Sequence, residues 1–448
     1  MRKLLLASIA VLGVTGVAQA QTALVTNPVP AGQTGPFASP TPVLAPGQIA
    51  VRLNGRYAFY YGLAANGDSH SQYQKLASTK MASFMRLYPG FDGVAANGLK
   101  YGAAVEIRQD LGGAAEATAS ATTMSGRGGM YVRRSSGYIA GDAWGKIQFG
   151  SNDGPITSMG GIGQFTNLGD SSFCGDTMLG GFNATSAGGW PFLSCSGNMY
   201  TTTKIAYYTP QFAGFDFGIS YEPGTGNVAG AGECNAAALA AGGCDSQSSS
   251  SGSGAYKRRM NTMDMALRYR GVLGGVGIAA VGGYTFGGHV RGTNGAGVPG
   301  AGTNGTVNGL SVGYGGATIT YAGITVGGAV QGGDQNNNAL NYEGARDQFS
   351  WVIGASYTTG PVMVGISYFD SKRAGAWHTQ SAGSANRTRQ DRGAYASLNY
   401  GIAPGLSAII AYGWLESEQP GLDVNAVSSG TQSAATYQQL IGGLNFRW

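Results

Sequence analysis

The chain has 448 residues, of which 79 are glycine and 11% are charged; the usual shares are about 7% glycine and about 25% charged residues. Disordered chains combine high net charge with few aromatic residues, and membrane helices need apolar runs of about 18 or more residues. This sequence has a low net charge and many aromatic residues, and no apolar run of that length occurs beyond its first twenty positions. Glycine, small polar residues and 24 tyrosines favour strands with one apolar face and one face toward water.

The first twenty residues have the pattern of a secretory signal peptide. A basic start, Met1–Lys3, precedes an apolar stretch from Leu4 to Val17, and Ala18-Gln19-Ala20 is a small-x-small cleavage site. Removal of Arg2 and Lys3 leaves 25 basic against 22 acidic side chains and lowers the net charge from +5 to +3. This excess is too small to indicate binding of nucleic acid.

Residues 21–48 contain six prolines and no charged residue. Such a segment cannot form a packed core, and we predict an extended arm outside the domain that follows.

From residue 49 to the end of the chain, apolar and polar residues alternate with a period of two, which predicts β-strands. The predicted strands are 49–61, 79–89, 98–110, 129–140, 144–151, 201–209, 214–222, 260–270, 275–287, 308–319, 323–332, 346–358, 361–371, 390–401, 405–417 and 434–448.

Tight turns and long loops alternate between these sixteen strands, which indicates an antiparallel transmembrane β-barrel over 49–448, with short periplasmic turns and long external loops. The long loops are predicted at 62–78, 111–128, 152–200, 223–259, 288–307, 333–345, 372–389 and 418–433. A soluble sandwich needs a second apolar face, but the opposite phase is polar along nearly every strand. A barrel of sixteen strands encloses a water-filled channel, and its even strand number places both chain ends on the periplasmic side.

Three stretches resemble the general, trimeric porins of Gram-negative outer membranes. Lys204–Tyr221 is similar to the hairpin after the third loop of these porins, and Arg134–Gly150 is similar to the hairpin before it. The terminal strand resembles the assembly signal of outer-membrane barrels, with one phase occupied by Leu440, Leu444, Phe446 and Trp448. The proline-rich arm and the length of 152–200 depart from the usual porin pattern.

The resemblance implies a homotrimer in the outer membrane, surrounded by lipid and lipopolysaccharide and inserted by the barrel-assembly machinery. It also implies a third loop folded into each lumen, passive diffusion of small hydrophilic solutes and ions, and no cofactor.

Basic residues dominate the predicted inward phase of the first five strands: Arg52, Arg56, Arg86, Lys100, Arg108, Arg134 and Lys146, with Glu106. Each would cost about 2–4 kcal/mol if it faced lipid at mid-membrane. We predict a constriction in which Arg52, Arg56, Arg86, Arg108, Arg134 and Lys146 face Asp153 and Asp170 of the loop 152–200, with Asp176 as a further candidate in that loop. Because the bases outnumber the acids, a weak anion preference is expected.

The four cysteines can pair in three ways, and the most economical joins Cys174 to Cys195 and Cys234 to Cys244, since each of these disulfides would close one local loop. Free thiols are the alternative. A zinc site is disfavoured because no C-x2-C occurs.

Other functions are less favoured by the residues. A barrel enzyme is disfavoured because His70, His289 and His378 fall in or beside external loops. A substrate-preferring sugar or anion porin and a structural or adhesive barrel remain as alternatives.

Overall fold

A computed structural model describes residues 44–66, 79–110, 130–166, 168, 192, 202–223, 259–289, 310–334, 346–374, 388–418 and 434–448. Sixteen antiparallel strands form a closed barrel, in which each strand pairs with the next and β1 pairs with β16. The strands are β1 Ile49–Asn66, β2 Thr79–Val94, β3 Lys100–Asp110, β4 Met130–Gly141, β5 Gly145–Asn152, β6 Thr202–Tyr208, β7 Phe215–Glu222, β8 Arg259–Leu273, β9 Val276–His289, β10 Leu310–Tyr321, β11 Ile324–Asp334, β12 Gln348–Thr359, β13 Val362–Ala374, β14 Thr388–Ala403, β15 Leu406–Glu418 and β16 Ala434–Arg447.

Successive residues of each strand alternate between the outside and the inside of the barrel. On β1 the outward side chains of Val51, Leu53 and Phe59 are 84%, 65% and 39% exposed, whereas the inward side chains of Arg52 and Arg56 are buried. On this strand, apolar residues therefore cover the outer surface and the arginines lie inside.

The sixteen strands predicted from the alternation are confirmed, with differences at their ends. β1 extends to Asn66 rather than to residue 61, and β2 continues through Pro89 to Val94. Proline has no amide hydrogen to donate, and the pairing of β2 with β3 is interrupted between Leu87 and Gly90. Pairing with β1 runs through the same residues, so the strand is not broken.

Short turns join the strands at one end of the barrel. Ala322 and Gly323, between β10 and β11, both have positive φ, at 48° and 82°. Two such residues make a turn whose twist matches that of a hairpin, and glycine adopts this conformation without strain. The predicted alternation of short turns with long connections is present in the barrel.

The barrel closes where the first and last strands meet. The amide of Gly55 donates to the carbonyl of Trp448, and the amide of Trp448 donates to the carbonyl of Gly55. The indole of Trp448 covers Gly55, where an added Cβ would lie 2.2 Å from the ring. Leu440, Leu444, Phe446 and Trp448 all face outward and are at least 38% exposed, as the phase of the terminal strand predicts.

The end of the proline-rich arm contacts the barrel. Gly47 donates to the carbonyl of Val94, and the amide of Val94 donates to Gln48. Residues 1–43, which include the predicted signal peptide and most of the arm, lie outside the described residues. Within the described part of the chain, no helix is long and apolar enough to cross a membrane.

Candidate functional site

A β-bulge between β3 and β4 brings two consecutive arginines to the inside of the barrel. Glu106 pairs with Arg134 but Ile107 pairs with Val132, so that Arg133 is the extra residue. The Glu106 carboxylate forms ion pairs with Arg133 at 3.2 Å and with Arg134 at 3.1 Å. Strict alternation would point Arg133 toward the outer surface, and the sequence analysis therefore missed it.

Glu106 is the centre of this arginine cluster. Arg108, on the same strand, approaches its carboxylate at 2.5 Å, and the carboxylate is fully buried. Three guanidinium groups around one carboxylate leave a local excess of positive charge.

Arg134 also forms an ion pair with Asp153, the first residue after β5. β5 has only 8 residues and β6 only 7, against 16 in β2, so the connection between them leaves the wall part-way along the barrel. Asp153 therefore touches the basic wall directly and does not face it across the lumen. Asp170, Asp176 and the four cysteines lie outside the described residues.

A second group of basic residues lies on β1 and β2, where Arg56 is directly opposite Arg86. Both guanidinium groups lie over the ring of Phe84, at 4.9 and 4.6 Å from its centroid. Arg56 also donates to the side-chain oxygens of Asn445 at 3.0 Å and Tyr60 at 3.3 Å. Contact with the negative face of one aromatic ring thus offsets part of the repulsion between two neighbouring like charges.

The remaining predicted basic residues lie closer to the short turns. Arg52 binds Asp92 at 2.5 Å, and Asp92 also accepts from Tyr138. Lys146, the second residue of β5, lies over the Tyr208 ring at 4.9 Å. Lys100, the first residue of β3, pairs with the exposed Asp142 of the β4–β5 turn.

The inward face carries further charged residues that the sequence analysis did not select. On β7 and β8, Asp216 pairs with Arg268 at 2.5 Å and approaches Arg270 at 3.5 Å. On β13 and β14, Asp391 pairs with Arg373 and Arg389 at 2.8 and 3.0 Å. Strict alternation marks each of them as inward, but only the register between strands identifies their partners.

The described residues of the loop after β5 (153–166, 168 and 192) lie against the wall from β7 to β13, opposite the arginines of β1–β4. The loop begins with a short helix, α1 (Pro155–Ser158), whose Ile156 packs with Val281 and Leu310. Further along, Phe192 packs with Val352 and Phe369. These inward apolar side chains differ from the expectation of a polar inward phase, because the loop covers them.

Glycines on the wall let this loop approach closely. A Cβ at Gly316 would lie 2.0 Å from the carbonyl oxygen of Ile162. Similar close contacts occur on β12 and β13, where Phe165 covers Gly354 and Leu168 covers Gly365. Part of the high glycine content is therefore explained by the space that the loop occupies.

The inward arginines of β1–β4 have little direct exposure. Arg52, Arg56, Arg86, Arg133 and Arg134 are each 8% exposed or less. Charges at such depth are only weakly screened by solvent. The described residues contain no cluster of metal-binding side chains.

Comparisons with known proteins agree with this architecture. The sequence model of a family described as Gram-negative porin matches residues 7–420. Among solved structures, an anion-selective porin from Comamonas acidovorans has a TM-score of 0.53 and 14% identity, covering 90% of this chain and 100% of that chain. OmpF of Salmonella typhi, solved with daunomycin, has a TM-score of 0.52 and 15% identity, covering 89% and 97%. At these identities the two structures support the fold alone, and no curated protein matches the chain.

Proposed function

The chain belongs to the Gram-negative porin family and forms a water-filled channel through the outer membrane, and from this we propose that the inward arginines of β1–β4 and the loop after β5 bound its constriction. Small hydrophilic solutes and ions cross such a channel by passive diffusion. The described part of the loop lies on the side of the lumen opposite the arginines, which supports a passage between the two.

We propose a weak preference for anions. The observation that carries it is the cluster in which Arg108, Arg133 and Arg134 surround Glu106. Asp153 offsets part of this charge, but Arg56 and Arg86 add to it on the neighbouring strands. A net positive wall attracts anions in a narrow lumen, and the effect is screened over about 8 Å at physiological ionic strength.

Reversal potentials in a salt gradient across a planar bilayer test this preference. Replacing Arg56 and Arg134 together by glutamine should shift the reversal potential toward cations and change the conductance modestly. Arg392→Gln is the matched control, since Arg392 is on the outward phase of β14 and is one-third exposed. An unchanged reversal potential in the double variant would mean that these arginines do not border the passage. Current block by one sugar alone would instead favour a sugar-preferring porin.

A homotrimer is the proposed assembly, and it rests on the resemblance of the sequence to trimeric porins. Unheated samples in mild detergent should migrate on gels at an oligomeric mass, and boiled samples near the mass of the monomer. A monomer by light scattering in mild detergent would contradict the proposal.

Lipopolysaccharide is the proposed lipid partner. Polar residues lie on the outward face of β13–β15, near the end of the barrel with the long loops. Arg392 binds Glu416 at 2.9 Å. Gln390 donates to Asp370 at 2.6 Å and lies opposite Lys372 of β13. Polar groups on this outward face suit charged headgroups better than acyl chains. Replacing Lys372 and Arg392 by glutamine should lower the lipopolysaccharide that copurifies, as measured by phosphate assay; unchanged copurification would argue against this contact.

The terminal strand is the proposed recognition signal for the barrel-assembly machinery, because Leu444, Phe446 and Trp448 present apolar side chains outward. Replacing Phe446 by serine should reduce the amount of folded porin in the outer membrane, measured by heat-modifiability on gels. A normal amount would contradict this role.

The chain ends and the cysteines carry three further proposals. Cleavage after Ala20 should give a mature chain that begins at Gln21, which mass spectrometry can test.

Deletion of residues 21–43 should leave conductance nearly unchanged, whereas loss of assembly would make the arm part of the barrel or of the trimer contact. Peptide mapping without reductant should give Cys174–Cys195 and Cys234–Cys244 disulfides; free thiols or a crossed pairing would contradict this.

A further inference from the structure

We propose that Asp264, on the inward face of β8, is a positioning residue that fixes the start of the constriction loop and keeps the open channel at one conductance level. The proposal concerns the place of the loop, and it does not depend on the ion preference of the wall. It would therefore stand even if the anion preference proved wrong.

Asp264 binds the loop at the first turn of α1. The amide of Ile156 donates to one Asp264 carboxylate oxygen at 2.6 Å. The first amides of a helix have no partner within the helix, and the side chain before them usually accepts their hydrogen bonds. The residue before α1 is Gly154, which has no side chain to do so. A carboxylate from the barrel wall takes this place.

The other carboxylate oxygen of Asp264 is held by the wall. Thr285 on β9 donates to it at 2.8 Å, and Tyr314 on β10 donates to it at 3.2 Å. The two oxygens therefore have separate partners, one in the wall and one in the loop. Two strands fix the orientation of the carboxylate, and it points at the loop amide.

The fit between loop and carboxylate is close. Asp264 is only 4% exposed. A Cβ at Gly154 would lie 2.8 Å from the same carboxylate oxygen that accepts from Ile156, and 2.9 Å from the Ser220 hydroxyl. A larger residue at position 154 would push the loop away from the wall. Burial of a carboxylate is costly without hydrogen bonds, so the loop amide and the carboxylate stabilise each other.

Apolar packing also holds this part of the loop, because Ile156 and Met159 contact the inward apolar residues of β9 and β10. Such packing is not directional and permits small shifts along the wall. The hydrogen bond from Ile156 to Asp264 fixes where along the wall the helix begins. Its loss should therefore change the mobility of the loop more than the stability of the barrel.

Single-channel recordings in planar bilayers test this role. Asp264→Ala should raise the frequency of transitions between conductance levels roughly tenfold, because a hydrogen bond to a charged group is lost. Asp264→Asn keeps an oxygen that can accept from Ile156, so its transition frequency should be closer to that of the unmodified channel. Gly154→Ala disturbs the same contact from the loop side and should increase the transitions as well.

Asp216→Ala is the matched control. Asp216 is an inward, buried carboxylate on the neighbouring strand, and its described partners are Arg268 and Arg270 rather than the loop. This variant should alter the reversal potential but leave the transitions at the level of the unmodified channel.

Steady recordings from a folded Asp264→Ala channel would overturn the proposal. So would a transition frequency in Asp216→Ala equal to that in Asp264→Ala. If Asp264→Ala does not fold, Gly154→Ala decides the question. Steady recordings from folded Gly154→Ala channels would then also refute it.

Discussion

Replacing Glu106 by glutamine should strongly destabilise the barrel, because it leaves three arginines around an uncharged side chain. The ion pairs join Glu106 to Arg108, Arg133 and Arg134 at 2.5 to 3.2 Å, and the carboxylate is fully buried. Unit charges about 4 Å apart interact by about 4 kcal/mol at an effective dielectric constant near 20. Partial solvation of the released arginines reduces the loss, and removal of one partner from a buried ion pair costs about 3–5 kcal/mol. We expect a decrease of about this size in the free energy of unfolding.

Urea unfolding of the porin in lipid vesicles, followed by tryptophan fluorescence, measures this loss. Glu416→Gln is the control, since its pair with Arg392 lies on the outward face with side chains 23% and 34% exposed. An exposed pair contributes about 0.2–1 kcal/mol. The double variant Glu106→Gln, Arg133→Gln should recover part of the loss by removing one uncompensated cation. Equal losses for Glu106→Gln and Glu416→Gln would refute the idea that the buried cluster stabilises the wall.

Two further predictions concern glycines. Gly316→Ala places a methyl group against the backbone of the loop after β5, so it should lower the free energy of unfolding by about 1–3 kcal/mol and change the conductance. Gly282→Ala, with open space around it, should do neither. Gly55→Ala should displace the Trp448 ring and reduce the yield of folded barrel on heat-modifiability gels, whereas Gly442→Ala should not. Equal behaviour within either pair would contradict the close contacts on which the prediction rests.

Most of the barrel could be predicted from the sequence, because alternation with a period of two is a local property. It identified every strand, and the tight turns and the terminal strand with Trp448 followed from the same pattern. The family assignment agrees with the resemblance found in three stretches of the chain.

The arrangement of the charges could not be predicted as well. Alternation selected Arg134 but gave no reason to select Arg133, since the bulge that turns both inward is a property of the pairing with β3. The cost of an arginine facing lipid was the one available signal for such a bulge. The role of Asp264 depends on a loop that returns to a strand 108 residues away, and no local pattern reports such a contact.

The closure of the barrel by β1 and β16 has a consequence for how the protein is made. The hydrogen bond from Arg56 to Asn445 joins residues 389 positions apart, nearly the full length of the barrel. Contacts between such distant residues form late, because the intervening chain must first be brought together. Until then the edges of β1 and β16 are open to other chains, and unpaired strand edges promote aggregation. A chain that lost only its last strand would thus remain permanently at this vulnerable stage, although it contained almost every residue of the channel.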